Sequence, residues 1–203
     1  DQLIYANRQA AAQGADAMYY IQARNSHALN LTLSSTLTSH ITGKSVWNNG
    51  FFVAHNNNNH FQTMEDMLGA SSFHNINTYA LGTYPTGSDR LQYDLNNANA
   101  AVKKGDRFAY DYHILVNRAQ LWSNYTEDFG IVHYSIAARI GGQTMQRDGK
   151  MRNGLFADNS YGKSKTAKFF EGGIKASSDF NIGGGNTLTL GMGYDMHAPS
   201  AST

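Results

Sequence analysis

The stretch from residue 29 to residue 41 constrains the fold more than any other part of the chain. Its apolar residues all occupy odd positions, namely Leu29, Leu31, Leu33, Leu37 and Ile41. Its even positions are all polar, namely Asn30, Thr32, Ser34, Thr36, Thr38 and His40. Because side chains alternate across a β-strand, the pattern predicts a strand with one apolar face and one polar face.

The length of this predicted strand is as informative as its pattern. Strands in soluble proteins usually have ~5–6 residues. At ~3.3 Å per residue, the thirteen residues reach roughly 43 Å. At a tilt of about 40°, that is enough to cross the ~25 Å apolar band of an outer-membrane β-barrel.

Five further segments show the same alternation, so the sequence predicts an all-β fold built from six long antiparallel strands. The predicted strands cover residues 28–42, 46–64, 107–125, 129–146, 167–181 and 187–197. Their connections are alternately short and long, and the long ones lie at 65–106 and 147–165. Tight periplasmic turns and long extracellular loops are typical of transmembrane up-and-down barrels. The strand beginning at Leu29 would therefore start outside and end inside.

Two smaller expectations accompany this topology. Residues 1–27 are predicted as an extracellular loop, with a helical pattern over 1–16 that stops at Gly14 and a short strand at 18–24. Aromatic residues near the strand ends are expected to form interfacial girdles, and they are Trp47, Phe108, Tyr110, Trp122, Tyr125, Phe129, Phe180 and Tyr194.

Composition excludes several classes of protein. Charged residues make up 15% of the 203 residues, below the ~25% of soluble domains, and the net charge is +1. This balance points to no nucleic-acid partner. There is no cysteine and no run of 18 apolar residues, so neither a disulfide scaffold nor a transmembrane helix is expected. Residues 1–20 lack a signal-peptide pattern, so an outer-membrane location requires that the true N-terminus precedes Asp1.

A search for reactive constellations predicts no catalytic residue, no metal site and no cofactor. Two segments, at 162–164 and 43–45, end like a phosphate-binding loop, but Ala157 and Thr38 replace the required glycine. His55 and His60 could bind a metal, although polar wall residues are the favoured interpretation. A row of charges at spacings of four is expected to pair with neighbours inside the lumen rather than to act in catalysis, and it consists of Glu171, Lys175 and Asp179.

Ligand contacts are expected from the two long loops. The first side chains to test are Tyr79, Tyr84, Arg90, Tyr93, Arg152 and Tyr161. Aromatic rings stack on sugars or other rings, and arginines hold carboxylates or phosphates. The alternative for each of these residues is that it only packs the loops against each other.

Several segments together resemble the barrel of TonB-dependent outer-membrane receptors of the Bacteroidetes type, which carry a carboxypeptidase-regulatory-like N-terminal domain. The segments that carry the resemblance lie at 5–8, 67–70, 95–99, 102–108, 147–156, 158–164 and 192–199. The similarity depends on their order and spacing over nearly the whole chain. The resemblance implies that residues 1–203 are a partial barrel, with strands and loops at 28–197 and no plug domain.

The resemblance implies energised import of a nutrient, such as a glycan, a peptide or a metal chelate, into the periplasm. It implies outer-membrane lipids as surroundings, the TonB complex as a partner through the plug, and a surface lipoprotein that caps the barrel. The rival hypothesis is a soluble or cell-surface β-sandwich that binds a ligand such as a carbohydrate. An enzyme is not expected. A chain that is monodisperse without detergent would favour the sandwich.

Overall fold

The computed structural model describes residues 1–201, and strands account for 58% of it. Helix α1 spans Gln2–Ala12, and seven strands follow it: β1 (Ile21–His40), β2 (Ser45–Asp66), β3 (Arg107–Asp128), β4 (Val132–Gly149), β5 (Gly162–Lys163), β6 (Ala167–Gly183) and β7 (Asn186–Met196). They form one sheet with the order β1-β2-β3-β4-β6-β7, in which β5 pairs with β4. Over the described residues the sheet is antiparallel and not closed.

The six long strands and the helical N-terminal segment confirm the predicted elements, with two corrections. The predicted short strand at 18–24 is the first part of β1, which begins at Ile21. The predicted strands at 107–125 and 129–146 imply a turn at 126–128, and this placement is wrong, because β3 continues to Asp128 and β4 begins at Val132. Asp128 Oδ1 accepts a hydrogen bond from the Gly130 backbone at 2.7 Å, and Gly130 adopts a φ of 88°. This left-handed glycine places the turn at 129–131.

The chain divides into two compact units. Unit one contains Asp1–Ala28, Asn57–Leu115 and Gln146–Lys165. Its core consists of Ala17, Met64, Phe73, Val102 and Phe108, with Tyr20 packed against it. The Phe73 ring lies 4.7 Å from the Tyr20 ring and 5.5 Å from the Phe108 ring, measured between centroids. These apolar contacts hold the long connection between β2 and β3 in place.

Helix α1 is tied to this core by one fully buried side chain. The amide nitrogen of Asn7 donates to the carbonyl oxygens of Tyr19 and Met67 at 2.7 and 2.8 Å. Its amide oxygen accepts from the backbone of Met18 and Tyr19 at 2.9 and 3.0 Å. Because every polar atom of the buried amide has a partner, Asn7 links three segments at little desolvation cost.

The connection between β2 and β3 contains three short 3₁₀ turns, at Thr78–Ala80, Asp89–Leu91 and Leu95–Asn97. Each begins at a side chain that accepts a hydrogen bond from the backbone two residues later. These N-terminal caps are Asn77, Ser88 and Asp94. The long segment without periodicity in the sequence is thus ordered by local caps.

Unit two contains Leu29–Asn56, Val116–Met145 and the chain from Thr166 onward. Its strand register produces rows of like polarity across β4, β6 and β7. Two rows are apolar, Ala138–Ile174–Tyr194 and Ile136–Ala176–Met192. Two alternating rows carry polar side chains, Arg139–Gly173–Asp195 and His133–Asp179–Thr189. The alternation predicted for single strands therefore extends across the sheet.

The apolar rows are exposed. Leu33 is 64% exposed and Met192 is 81% exposed. Other large apolar side chains with exposed surfaces in unit two include Leu29, Leu31, Leu37, Val53, Leu121, Ile136, Ile140, Phe170, Ile174, Leu188, Leu190 and Tyr194. No helix in the described part of the chain is long and apolar enough to cross a membrane.

One of the predicted girdle aromatics lies elsewhere. Phe108 is fully buried in the core of unit one, so its predicted place in an interfacial girdle is wrong. Trp122 packs over Gly50, where a Cβ atom would lie 2.6 Å from the indole ring, and its place in a girdle stays a prediction.

Candidate functional site

A buried ion pair lies on the polar face of unit two. Glu171 is 2% exposed, and its Oε2 accepts from Arg118 Nε at 2.6 Å. Its Oε1 accepts from the backbone of Ala198 at 3.2 Å. Both carboxylate oxygens therefore have partners, as a buried charge requires.

Gln120 joins this ion pair to a second one. Its side-chain oxygen accepts from Arg118 Nη2 at 3.4 Å and from Arg139 Nη1 at 3.1 Å. Arg139 Nε donates to Asp195 Oδ1 at 2.7 Å, and Arg139 Nη2 lies 2.9 Å from His197 Nδ1. Because a guanidinium can only donate, Nδ1 of His197 accepts, and its Nε2 carries the proton in its contact with Asp195. We refer to Arg118, Gln120, Arg139, Glu171, Asp195 and His197 as the charged cluster.

A glycine on β6 leaves space for the side chains of the charged cluster. Gly173 lies opposite both Arg139 and Asp195 in the sheet register. A Cβ atom at Gly173 would lie 2.2 Å from Asp195 Oδ1. The side chains of β4 and β7 therefore meet across β6 because β6 has no side chain at that point.

Pairing with neighbouring side chains is confirmed for the two acidic members of the predicted row. Glu171 pairs with Arg118, and Asp179 accepts from the Thr189 hydroxyl at 2.7 Å. The sequence pattern did not point to Arg118 or Arg139, because their acidic partners lie on other strands, far away along the chain. Within the described residues, no group of three metal-ligating side chains is present.

The two predicted histidines have separate environments. His55 Nδ1 lies 2.7 Å from Asn117 Oδ1. The His60 ring stacks on Tyr112, with 5.3 Å between centroids.

A Ser, Asp and His set in unit one resembles a catalytic triad in composition only. Asp16 accepts from the Ser72 hydroxyl at 2.9 Å, and its Oδ2 lies 2.8 Å from His74 Nδ1. In a triad the histidine must contact the serine in order to take its proton. Here both side chains bond to the carboxylate, so the arrangement clamps residue 16 to residues 72–74.

The structure brings together some of the loop residues predicted to contact a ligand. The Arg90 guanidinium lies 5.3 Å from the Tyr84 ring centroid and 3.5 Å from its hydroxyl. Arg152 joins the two long loops, because its backbone N–H donates to Asp94 Oδ1 at 2.9 Å. Tyr79 is 91% exposed and Tyr161 is 57% exposed. Ligand contact by these residues stays a prediction.

A cavity of about 140 Å³ lies among the loops and strands of unit one. We refer to it as the loop cavity, and it is lined by Tyr93, Ala109, Tyr110, Asp111, Arg147, Met151, Asn153, Phe156 and Ser160. Tyr93 is the one predicted ligand-contact residue that lines it. The sequence-based prediction did not include Asp111 or Arg147, which also line the cavity. The one signal in the sequence was the position of Asp111, a charged residue between two tyrosines in a long predicted strand.

Burial raises the pKa of two tyrosines in unit one above the ordinary value of 10.0. For Tyr93 burial is the larger cause, and the charges on ionised Tyr20 and Tyr79 add to it. For Tyr20 burial again comes first, followed by Tyr79. The folded state therefore favours the neutral phenols.

Unit one should consequently lose stability in alkali. A folded-state pKa above the unfolded value gives stability that is complete below pH 10.0 and declines as the pH rises through the raised values. Tyrosine ultraviolet absorbance and circular dichroism, followed together against pH, measure this loss. The variant Tyr93→Phe should unfold at higher pH than the parent. Titration of all 12 tyrosines together near the ordinary value would contradict the prediction.

Comparison with known proteins gives no match. No family model matches the chain, and neither a curated protein nor a solved structure matches it.

Proposed function

We propose that the chain is part of the wall of an outer-membrane β-barrel, in a TonB-dependent transporter that imports a nutrient into the periplasm. One observation carries the proposal. In unit two, large apolar side chains are exposed on strand after strand, whereas the charged cluster on the polar face is paired and partly buried. A wall between lipid and an aqueous lumen requires this arrangement of faces.

The energetics of the exposed face support this proposal. Soluble monomers rarely expose contiguous apolar patches larger than a few hundred Å². Covering a Val, Leu or Ile side chain that would otherwise face water contributes about 1.5–3 kcal/mol. With side chains as exposed as Leu37 (65%) and Ile174 (56%) on several strands, the face has a strong driving force to be covered.

The height of the apolar face matches a membrane. On β7, exposed apolar side chains run from Leu188 to Met196. This part of the strand is roughly 30 Å long at ~3.3 Å per residue, which at a tilt of about 40° corresponds to ~23 Å. The apolar band of outer-membrane barrels is ~25 Å tall.

Aromatic residues at the short-turn end of unit two suit a membrane interface. Tyr134 lies 5.7 Å from Phe129 and 6.1 Å from Tyr125 between ring centroids. The hydroxyls of Tyr125 and Tyr134 donate to Glu127 Oε2 at 2.6 and 2.9 Å. The indole N–H of Trp47 donates to Ser123 at 2.8 Å. Rings with a polar tip favour the boundary between lipid and water.

In this proposal the long connections face the outside of the cell and supply the ligand contacts. The imported nutrient would be a glycan, a peptide or a metal chelate, and a plug elsewhere in the receptor would receive work from the TonB complex. A surface lipoprotein would cap the barrel. Tyr84 and Arg90, which lie together, suit a ring or an acidic group.

A matched pair of substitutions on adjacent residues of β1 tests the assignment of faces. Leu33→Arg places a charge on the lipid side and should destabilise the barrel by roughly 2–4 kcal/mol at the midplane. Ser34→Arg places the same charge on the lumen side and should be tolerated. Both variants, introduced into the complete gene, are compared by heat-modifiable electrophoretic migration of outer-membrane fractions.

Two results would reject this proposal. Equal effects of the two arginines would show that the faces are misassigned. A chain that purifies monodisperse without detergent would favour the soluble β-sandwich, in which a second sheet rather than lipid covers the leucine row. Leu33→Arg would be harmful there too, so the detergent requirement is the decisive measurement.

A further inference from the structure

We propose that a groove on the polar face of unit two binds an acidic sugar, with the carboxylate on Arg118 and the ring against Trp122. The groove has a volume of about 460 Å³, and its lining residues all belong to unit two. We refer to it as the polar groove, and Phe52, Gln120 and Arg139 also line it. The inference deepens the proposed function, on which it rests for the route that brings a sugar to this face.

The polar groups of the groove are in contact with one another. Gln120 Oε1 accepts from Arg118 at 3.4 Å and from Arg139 at 3.1 Å. The Arg118 guanidinium carbon lies 5.9 Å from the Phe52 ring centroid. These contacts run from β2 through β3 to β4, so three strands supply one continuous surface.

The charged side chains that line the groove are basic. Arg118 and Arg139 line it, whereas their acidic partners Glu171 and Asp195 are not among the described lining residues. The Glu171 side chain is 2% exposed, while that of Arg118 is 33% exposed. The groove therefore presents guanidinium groups to solvent, which favours a ligand that carries a carboxylate.

Arg118 retains hydrogen-bond donors for such a carboxylate. Its Nε donates to Glu171 at 2.6 Å, and its Nη2 donates to Gln120. Its Nη1 has no hydrogen-bond partner within residues 1–201. A guanidinium has five N–H donors, so both hydrogens on Nη1 are available to a ligand. The ion pair with Glu171 holds this fork in place before a ligand arrives, which reduces the entropy cost of binding.

Trp122 supplies a flat apolar surface beside these donors. Its ring packs over Gly50, and a Cβ atom at that position would lie 2.6 Å from the indole, so a larger residue would displace the ring. Aromatic rings stack on the apolar face of a sugar. In this role Trp122 serves the groove instead of an interfacial girdle.

The opposite side of the groove distinguishes a sugar from an aromatic acid. Ser34 and Thr36 of β1 also line the groove, and their hydroxyls have no hydrogen-bond partner in the described part of the chain. Because β1 and β3 lie on either side of β2, polar groups flank the groove from two directions. A sugar has hydroxyls around its whole ring, whereas an aromatic acid has one polar end. The volume of about 460 Å³ lies within the ~300–1,000 Å³ of small-molecule sites.

Saturation-transfer NMR with D-glucuronate as the probe tests the proposal on the full chain, in the buffer or detergent that keeps it folded. Saturable binding is expected. The methyl ester of D-glucuronic acid keeps the ring and hydroxyls but lacks the charge. Cyclohexanecarboxylate keeps the charge and a six-membered ring but lacks the hydroxyls. Each should bind about tenfold more weakly or worse, because the ester loses hydrogen bonds to a charged group and the cyclohexane compound loses several neutral ones.

A double substitution with a matched control assigns the carboxylate contact. Arg118→Met together with Glu171→Leu removes the guanidinium without leaving a buried carboxylate unpaired. This variant should bind D-glucuronate about tenfold more weakly and should no longer prefer it to the ester. The control is Arg8→Met, an exposed arginine of α1 in unit one, which should not change the affinity. Circular dichroism confirms that each variant is folded.

Tryptophan fluorescence locates the ligand. The chain contains two tryptophans, and Trp47 is not among the described residues that line the groove. In a Trp47→Phe variant, D-glucuronate should change the emission of Trp122 saturably. In a Trp122→Phe variant, it should leave the emission of Trp47 unchanged. A response from Trp47 alone would place the ligand outside the groove and contradict the proposal.

Three further results would overturn the proposal: no saturable binding of D-glucuronate, equal binding of the ester or of cyclohexanecarboxylate, or an equal loss in the Arg8→Met control. If the double variant does not fold, the three probes on the unmodified chain still decide the question. Failure here would leave the barrel proposal intact, because that proposal is tested by the detergent requirement and by the two arginine variants of β1. A chain that is monodisperse without detergent would reject the barrel but not D-glucuronate binding.

Discussion

Glu171→Ala is expected to lower the free energy of unfolding by about 2–4 kcal/mol. Removing one member of a buried ion pair usually costs about 3–5 kcal/mol, because the remaining charge is left without a partner. The expected loss is somewhat smaller than that here, because the Arg118 side chain is 33% exposed and can recruit water. Urea unfolding in detergent micelles, followed by circular dichroism, measures the change.

Asp179→Ala is the control, because Asp179 lies on the same face of β6 and accepts a single hydroxyl hydrogen bond from Thr189. Its loss should cost about 0.5–1.5 kcal/mol. A double variant, Arg118→Met with Glu171→Leu, should recover most of the lost stability, since apolar residues of similar size often replace buried ion pairs without cost. Equal losses for Glu171→Ala and Asp179→Ala would contradict the assigned burial.

Phe108→Ala should destabilise unit one by about 3–5 kcal/mol, the usual cost of removing a buried phenylalanine ring. Phe108 is 0% exposed and packs edge-on against both Tyr20 and Phe73. Thermal unfolding followed by near-ultraviolet circular dichroism reports the loss of these ring contacts. Tyr161→Ala is the matched control, because that ring is 57% exposed and its removal leaves no cavity. A cost below about 1 kcal/mol for Phe108→Ala would show that the core is loosely packed.

The strands and their polar faces could be predicted because alternation with a period of two is a local property. β6 and β7 show this most clearly, since Ile174, Ala176 and Phe180 of β6 lie in register with apolar residues of β7. The turn after β3 was placed less accurately than the strands. Its position depends on the hydrogen bond that the Gly130 backbone N–H donates to Asp128 Oδ1, and strand alternation does not reveal that bond.

The girdle prediction for Phe108 was wrong for a physical reason. The next residue, Ala109, has a φ of 64°, a conformation that few residues other than glycine adopt. The Ala109 backbone N–H donates to the Asn75 side chain at 2.9 Å instead of following a regular strand pattern. Alternation in the sequence contains no information about such an interruption, so Phe108 could be placed only from the structure.

The charged cluster could not be predicted from the sequence, because its members are far apart along the chain and meet only in the folded sheet. Arg118 and Glu171 are 53 residues apart and lie on β3 and β6, with β4 between them. The loop cavity is similar, since its lining residues come from β3, β4 and both long loops. The residues chosen from the sequence were loop aromatics and arginines, and Tyr93 alone of these lines the cavity.

Gly173 shows how an absent side chain can determine which residues a protein tolerates. Arg139 and Asp195 extend from strands that are two interstrand spacings apart, roughly 9.6 Å, and they meet above this glycine. Even a methyl group there would displace the Asp195 carboxylate and break its ion pair with Arg139. A search for important positions by chemical reactivity would pass over Gly173, yet it should be among the least replaceable residues on the polar face.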